Sequence, residues 1–156
     1  MNTVQIIAFT HRQFNFDEIG LFHLDDKQRI DILTNLKTNL DIDELMYLST
    51  CNRVEFIVSH EKKITKTFVE KLIKQLLADQ LPANLKDIVD RAEIINSKAA
   101  VHHIFSVASS IDSLVVGERE IITQVRKAFE ECKENNLCGD VIRVLVRSTI
   151  STAKKV

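Results

Sequence analysis

Residues 44–59 read "ELMYLSTCNRVEFIVS", two β-rich runs separated by only Cys51 and Asn52. ELMYLST (44–50) and RVEFIVS (53–59) each have the length and composition of a strand, so the pair predicts two strands meeting at a tight junction. Upstream, "TVQIIAF" (3–9) is apolar and partly β-branched, and the polar cluster from Thr10 to Gln13 closes it as a further strand. Between these strands, "LDDKQRIDILTNLKTNL" (24–40) places Ile30, Leu33, Leu36 and Leu40 at helical spacing. Asp25, followed three residues on by Gln28, resembles a capping box and predicts a helix start there.

Downstream, "ITKTFVEKLIKQLLADQL" (64–81) is an amphipathic helix with Phe68, Leu72 and Leu76 inward, stopped by Pro82. A short helix, "LKDIVD", precedes a strand candidate, "AEIINS" (92–97). The order strand, helix, strand, strand, helix, strand predicts an α+β fold: a ferredoxin-like antiparallel sheet with two helices on one face. From Lys98 onward the pattern is helical, punctuated by Gly117 and Gly139. One domain is expected over 1–156, with a sheet portion at 1–97 and a helical portion at 98–156 packed beside it. Ile142, Leu145, Thr149, Ala153 and Val156 continue one helical face with no stop signal, so the chain is expected to be the N-terminal part of something longer.

The composition is that of an ordinary globular domain, 45% hydrophobic and 28% charged. A formal net charge of -1 excludes a globally basic nucleic-acid binder and leaves room for a local basic face. Two such stretches exist, Arg143, Arg147, Lys154 and Lys155 near the end, and Lys62, Lys63, Lys66, Lys71 and Lys74. Neither is interleaved with aromatics for base stacking. Cys51, Cys132 and Cys138 form no metal-type spacing, and an odd count suits a reducing compartment with free thiols. No signal peptide or membrane span is evident, so the expected location is cytoplasmic, with no membrane partner and no metal.

Cys51 is the first site candidate, because the thiolate is the nucleophilic form and Arg53 stands two residues away. If the chain is extended there, both side chains share a face, and the guanidinium would favour the thiolate or hold a substrate carboxylate. The competing reading is a strand-end cysteine with Arg53 paired to Glu55. His102 and His103 point about 100° apart on a helix, so at most one serves a given site as general acid or base. His11, at the end of the first strand, is open to the same two readings, site base or plain surface histidine. The junction "VASSIDSLVVGERE" (107–120) gathers Ser109, Ser110, Asp112, Ser113, Gly117 and Glu118, either as helix caps or around a pocket. No G-x-G-x-x-G or P-loop occurs anywhere in the chain.

"LSTCNRVEF" (48–56), followed by "AVHHIFSVASSIDSLVVGEREIITQVRKAF" (100–129), closely resembles the glutamyl-tRNA reductase family over essentially the whole chain. The resemblance implies an enzyme in which Cys51 attacks the ester of glutamyl-tRNA to give a thioester, which NADPH reduces to glutamate-1-semialdehyde. It makes His103 the assisting histidine, Thr50 a wall of the glutamate pocket and Arg53 the carboxylate holder. Ser109, Ser113, Glu118 and Gln124, with Asp112 and Gly117, become pocket or supporting residues. It further implies a spinal helix, an NADPH-binding domain and a dimerisation domain outside this chain, with glutamate-1-semialdehyde aminomutase as a partner and a homodimeric full-length enzyme. Departures are "THRQFN" where N-H-K-T-A-P is usual, and Arg119 and Glu120 where the family has proline and glutamine. The rival readings are a non-catalytic ferredoxin-like module that binds a ligand or partner, and a redox sensor using Cys51.

Overall fold

A computed structural model describes residues 3–109 and 120–153, with the backbone alone at Glu120. Its strands are β1 (Thr3–Thr10), β2 (Glu44–Thr50), β3 (Arg53–His60) and β4 (Glu93–Asn96). Helices α1 (Phe16–Gly20) and α2 (Arg29–Asn39) follow β1, α3 (Lys66–Leu76) and α4 (Leu85–Arg91) follow β3, and α5 (Ser97–Ala108), α6 (Glu120–Glu134) and α7 (Asp140–Ala153) close the chain. The strands lie in the order β2-β3-β1-β4, and every neighbouring pair is antiparallel. That is the predicted α+β, ferredoxin-like arrangement. Among the described residues, no helix is long and apolar enough to cross a membrane.

Register sorts the side chains. One face carries Phe9, Phe56 and Tyr47, whose rings pack with Phe14 and Phe22 from the segment containing α1, while His60 meets Phe68 of α3. The opposite face carries Ile6 and Ala8 of β1, Arg53, Glu55 and Ile57 of β3, and Ile95 of β4. The C-terminal helices pack on the sheet as expected: α5 covers β1 and β4 and α7 covers β2 and β3 on this second face, while α6 runs along edge strand β2. Both faces are therefore covered, and every residue of β3 is buried.

Two helix starts differ from the sequence reading. α1 has a complete capping box: the Asn15 side chain accepts from the Glu18 N–H at 2.8 Å, and Glu18 accepts from the Asn15 N–H at 3.1 Å. Asp25 instead braces a turn by accepting from the Lys27 N–H, and α2 begins four residues later without a side-chain cap.

The loop between α6 and α7 fixes the edge of the sheet. Asn136, with φ 59°, ends α6 in a Schellman turn: the Leu137 N–H donates to Cys132 O at 2.8 Å and the Asn136 N–H to Lys133 O at 3.3 Å. This reversal brings Cys132 and Cys138 to a Cα separation of 5.7 Å, and they form a disulfide. The expectation of three free thiols is corrected for these two. Cys51 is free and exposed.

Beside this turn the Leu45 N–H of β2 donates to Leu137 O at 2.8 Å. Glu44 reaches across to cap α7, accepting from the N–H groups of Gly139 (2.7 Å), Val141 (3.2 Å) and Ile142 (2.9 Å). Gly139 opens this helix rather than ending one, and a Cβ there would come within 3.4 Å of the Glu44 carboxyl carbon. Three otherwise orphaned donors thus share one buried carboxylate. Glu44→Ala is expected to lower stability by about 2–3 kcal/mol, read as a shift in urea midpoint at unchanged slope. An unmoved midpoint would show that water replaces the carboxylate at no cost.

Candidate active site

Cys51 and Asn52 form the two-residue connection of the β2–β3 hairpin, which Thr50 and Arg53 close as a register pair. Neither turn residue has positive φ, so the turn is not one of the mirror-image types that two-residue hairpins favour. Side chains brace it instead. The Thr50 hydroxyl donates to Asn52 Oδ1 at 2.9 Å, and the Asn52 N–H leans on Thr50 Oγ1 at 3.4 Å. The neighbouring strand adds a third tie, His11 N–H to Asn52 O at 3.1 Å. Thr50 and Asn52 are buried and Cys51 alone is exposed, so the thiol is presented at the tip of a clamped turn.

The turn also breaks the alternation that would have laid Arg53 beside Cys51. Arg53 points into the protein with 1% of its side chain exposed, and its Nη1 donates to Glu55 Oε2 at 2.6 Å. The pair formed is thus the one expected of the structural reading, yet it does not end there. Glu55 Oε1 lies 2.7 Å from His103 Nε2, so one fully buried carboxylate joins the guanidinium to the imidazole. Glu55 stands opposite Ala8 on β1, whose small side chain leaves room over the sheet for the imidazole. Burial pushes the Glu55 carboxyl up; the hydrogen bond and charge of His103 and the charge of Arg53 outweigh it and hold it below the usual carboxylate range.

Helix geometry selects the histidine. Ala100, Ile104, Val107 and Ala108 bury one face of α5, His103 lies beside that face with 12% of its side chain exposed, and His102 faces out. With Nε2 donating to the carboxylate, neutral His103 keeps Nδ1 unprotonated and available as an acceptor. His11 sits on the other side of Asn52; burial and then the charge of Arg53 push it below the usual imidazole range, and its Nδ1 is buried without a hydrogen-bond partner among the described residues.

Of the other anticipated residues, Ser109 and Gln124 are among those described. Ser109 is half-buried just past α5, its N–H bonded to Phe105 O at 3.0 Å. Gln124 lies on α6 with its Oε1 buried and, among the described residues, without a hydrogen-bond partner. Ser113 and Glu118, with Asp112 and Gly117, lie outside the described residues. Sequence reasoning missed Asn52 as the brace of the turn and Glu55 as the bridge. The signal for Glu55 was the two-residue spacing from Arg53 on one strand.

An exposed thiol on a braced hairpin and a buried Arg–Glu–His chain thus lie in one α+β domain with a ferredoxin-like sheet. Comparison with known proteins gives the particular family. The family model "Glutamyl-tRNAGlu reductase, N-terminal domain" matches residues 7–156, and the chain belongs to that family. It is 34% identical over 154 residues to the glutamyl-tRNA reductase of a Nitratiruptor species, covering 97% of this chain and 34% of the relative. The corresponding figure for Campylobacter concisus is 36% over 155 residues, with 96% and 35% covered. The solved structure of glutamyl-tRNA reductase from Methanopyrus kandleri shares the fold, with a TM-score of 0.77 at 22% identity, over 99% of this chain and 34% of that one. The chain spans about a third of the length of these relatives.

Proposed function

We propose that this chain carries out the acyl-transfer half of glutamyl-tRNA reduction, the entry to tetrapyrrole synthesis, with Cys51 as nucleophile. The observation that carries the reading is the one exposed cysteine, held at a fixed hairpin tip within a fold whose relatives bear the name of this enzyme. The Cys51 sulfur bonds to the carbonyl carbon of the glutamyl ester, and the carbon–oxygen bond to the terminal ribose breaks. The thiol proton ends on the released ribose hydroxyl, relayed by His103 Nδ1 while Glu55 holds the other ring nitrogen. Thr50 fixes the turn through Asn52, and Arg53 is hydrogen-bonded to Glu55 beneath it.

NADPH, the reductant that the family resemblance implies, is assigned to a domain outside this chain. The chain has three glycines in all, and its sequence carries no G-x-G-x-x-G motif of the kind that cradles a pyrophosphate. Hydride delivery is therefore assigned to none of its side chains.

The test is a trapped adduct. Glutamyl-tRNA labelled in the glutamyl group is incubated with the chain without NADPH, quenched in acid and mapped by peptide mass. A label on Cys51 that neutral hydroxylamine releases is the expected result. No adduct, or one on another residue, would return the chain to the class of binding modules.

A further inference from the structure

A cleft of about 570 Å³ opens where edge strand β4 meets α5. Ile95 and Ala99 give it an apolar floor; Arg12, Glu93, His102 and Ser106 supply its polar wall; and the His103 ring joins it to the Glu55 chain. Glu93 is the unusual member. It is half-buried, and among the described residues its carboxylate has neither a hydrogen bond nor an ion pair. A partly desolvated carboxylate without a donor is poorly satisfied, and a ligand that brings an N–H would relieve it.

Its position sets the size of that ligand. Glu93 pairs with Ala8 and Ala8 pairs with Glu55, so the two carboxylates flank one small residue on the same face. Two strand spacings put their backbones about 10 Å apart. The Cys51 hairpin lies beyond Arg53, four residues along the chain from Glu55, so it is farther still from Glu93, and a glutamyl group whose ester carbonyl is at that hairpin is too short to reach the cleft. The next part of the substrate, the sugar and planar base to which the ester is attached, is long enough.

We infer that this cleft receives the 3′-terminal adenosine of the aminoacyl-tRNA. The base lies on Ile95 and Ala99 against the exposed His102 ring, as unstacked bases lie on aromatic side chains. Its 6-amino group donates to Glu93, and Arg12 stands on the phosphate side. The inference rests on the reading of Cys51 as the acceptor of a tRNA-borne acyl group, and Glu93 is a specificity residue within it.

The probes are adenosine 5′-monophosphate and purine riboside 5′-monophosphate, which lacks only the 6-amino group. Binding to the 156-residue chain is followed through the His102 ring signals by NMR, beside Glu93→Met. The wild type is expected to prefer the adenosine nucleotide by about tenfold, and Glu93→Met to bind the two equally. Equal binding by the wild type, no binding of either at millimolar concentration, or a preference that survives in Glu93→Met would overturn the inference. Cys51 acylation is scored separately in both proteins. An adduct without nucleotide preference sinks the cleft assignment alone, whereas preference without an adduct keeps the cleft and sinks the nucleophile.

Discussion

Cys51→Ser is expected to abolish labelling by glutamyl-tRNA and to cut glutamate release by roughly 10³-fold or more, while leaving the urea midpoint within about 0.5 kcal/mol of wild type. The size of the first effect follows from chemistry. At neutral pH an ordinary thiol is a few per cent thiolate and intrinsically very nucleophilic, whereas a serine hydroxyl needs full activation by a base. The size of the second follows from place. The Cys51 side chain is exposed and makes no hydrogen bond among the described residues, and the turn is held by Thr50, Asn52 and His11. Thr50→Val reverses this pattern: removing the hydroxyl that donates to Asn52 loosens the turn and slows labelling, although the thiol itself is untouched. Cys51→Ser that still takes label would move the nucleophile elsewhere, and the disulfide-bonded Cys132 and Cys138 offer no free thiol to take its place.

The strands were legible because β-rich composition marks a strand even when both of its faces are buried. ELMYLST and RVEFIVS fall on β2 and β3, with Cys51 and Asn52 between them as read. What the pattern could not carry was the direction of a side chain across a turn. Period two applies along a strand and fails at a two-residue reversal, so Arg53 went inward while Cys51 stayed out. Glu55 was visible as a partner for Arg53, but the imidazole that completes the chain comes from 48 residues away, and only tertiary packing brings it there. The Cys132–Cys138 pairing was hidden for a related reason, since it depends on the left-handed turn at Asn136, a conformation that its sequence neighbours do not announce. The capping box at Asn15 and Glu18 needed no tertiary information. It was overlooked because α1 is five residues long, too short to show helical periodicity.

Glu55→Gln is expected to destabilise the protein by about 3 kcal/mol at pH 7 and to slow acyl transfer by about 10²-fold. The stability loss arises because the substitution takes the negative charge from between a buried guanidinium and an imidazole that were folded around it. The rate loss arises because His103 is no longer fixed with its proton on Nε2. pH separates this account from a mere packing defect. The folded-state pKa of Glu55 lies below the ordinary glutamate value of 4.5, so its contribution is complete above about pH 4.5 and is lost as pH falls through the lower folded value. The stability gap between wild type and Glu55→Gln should therefore be widest at neutral pH and shrink in acid. Glu18, held at about 2 by its hydrogen bonds to Arg91, also loses its contribution in acid but does so equally in both proteins, so it drops out of the difference. A gap that stays constant from pH 7 to about pH 3 would mean that Glu55 acts by shape rather than charge. A paired replacement, Arg53→Met with Glu55→Leu, then divides stability from function. Removing both charges should restore much of the lost stability, since buried ion pairs contribute little net free energy over well-packed apolar groups. Acyl transfer should stay slow, because the carboxylate that orients His103 is still missing.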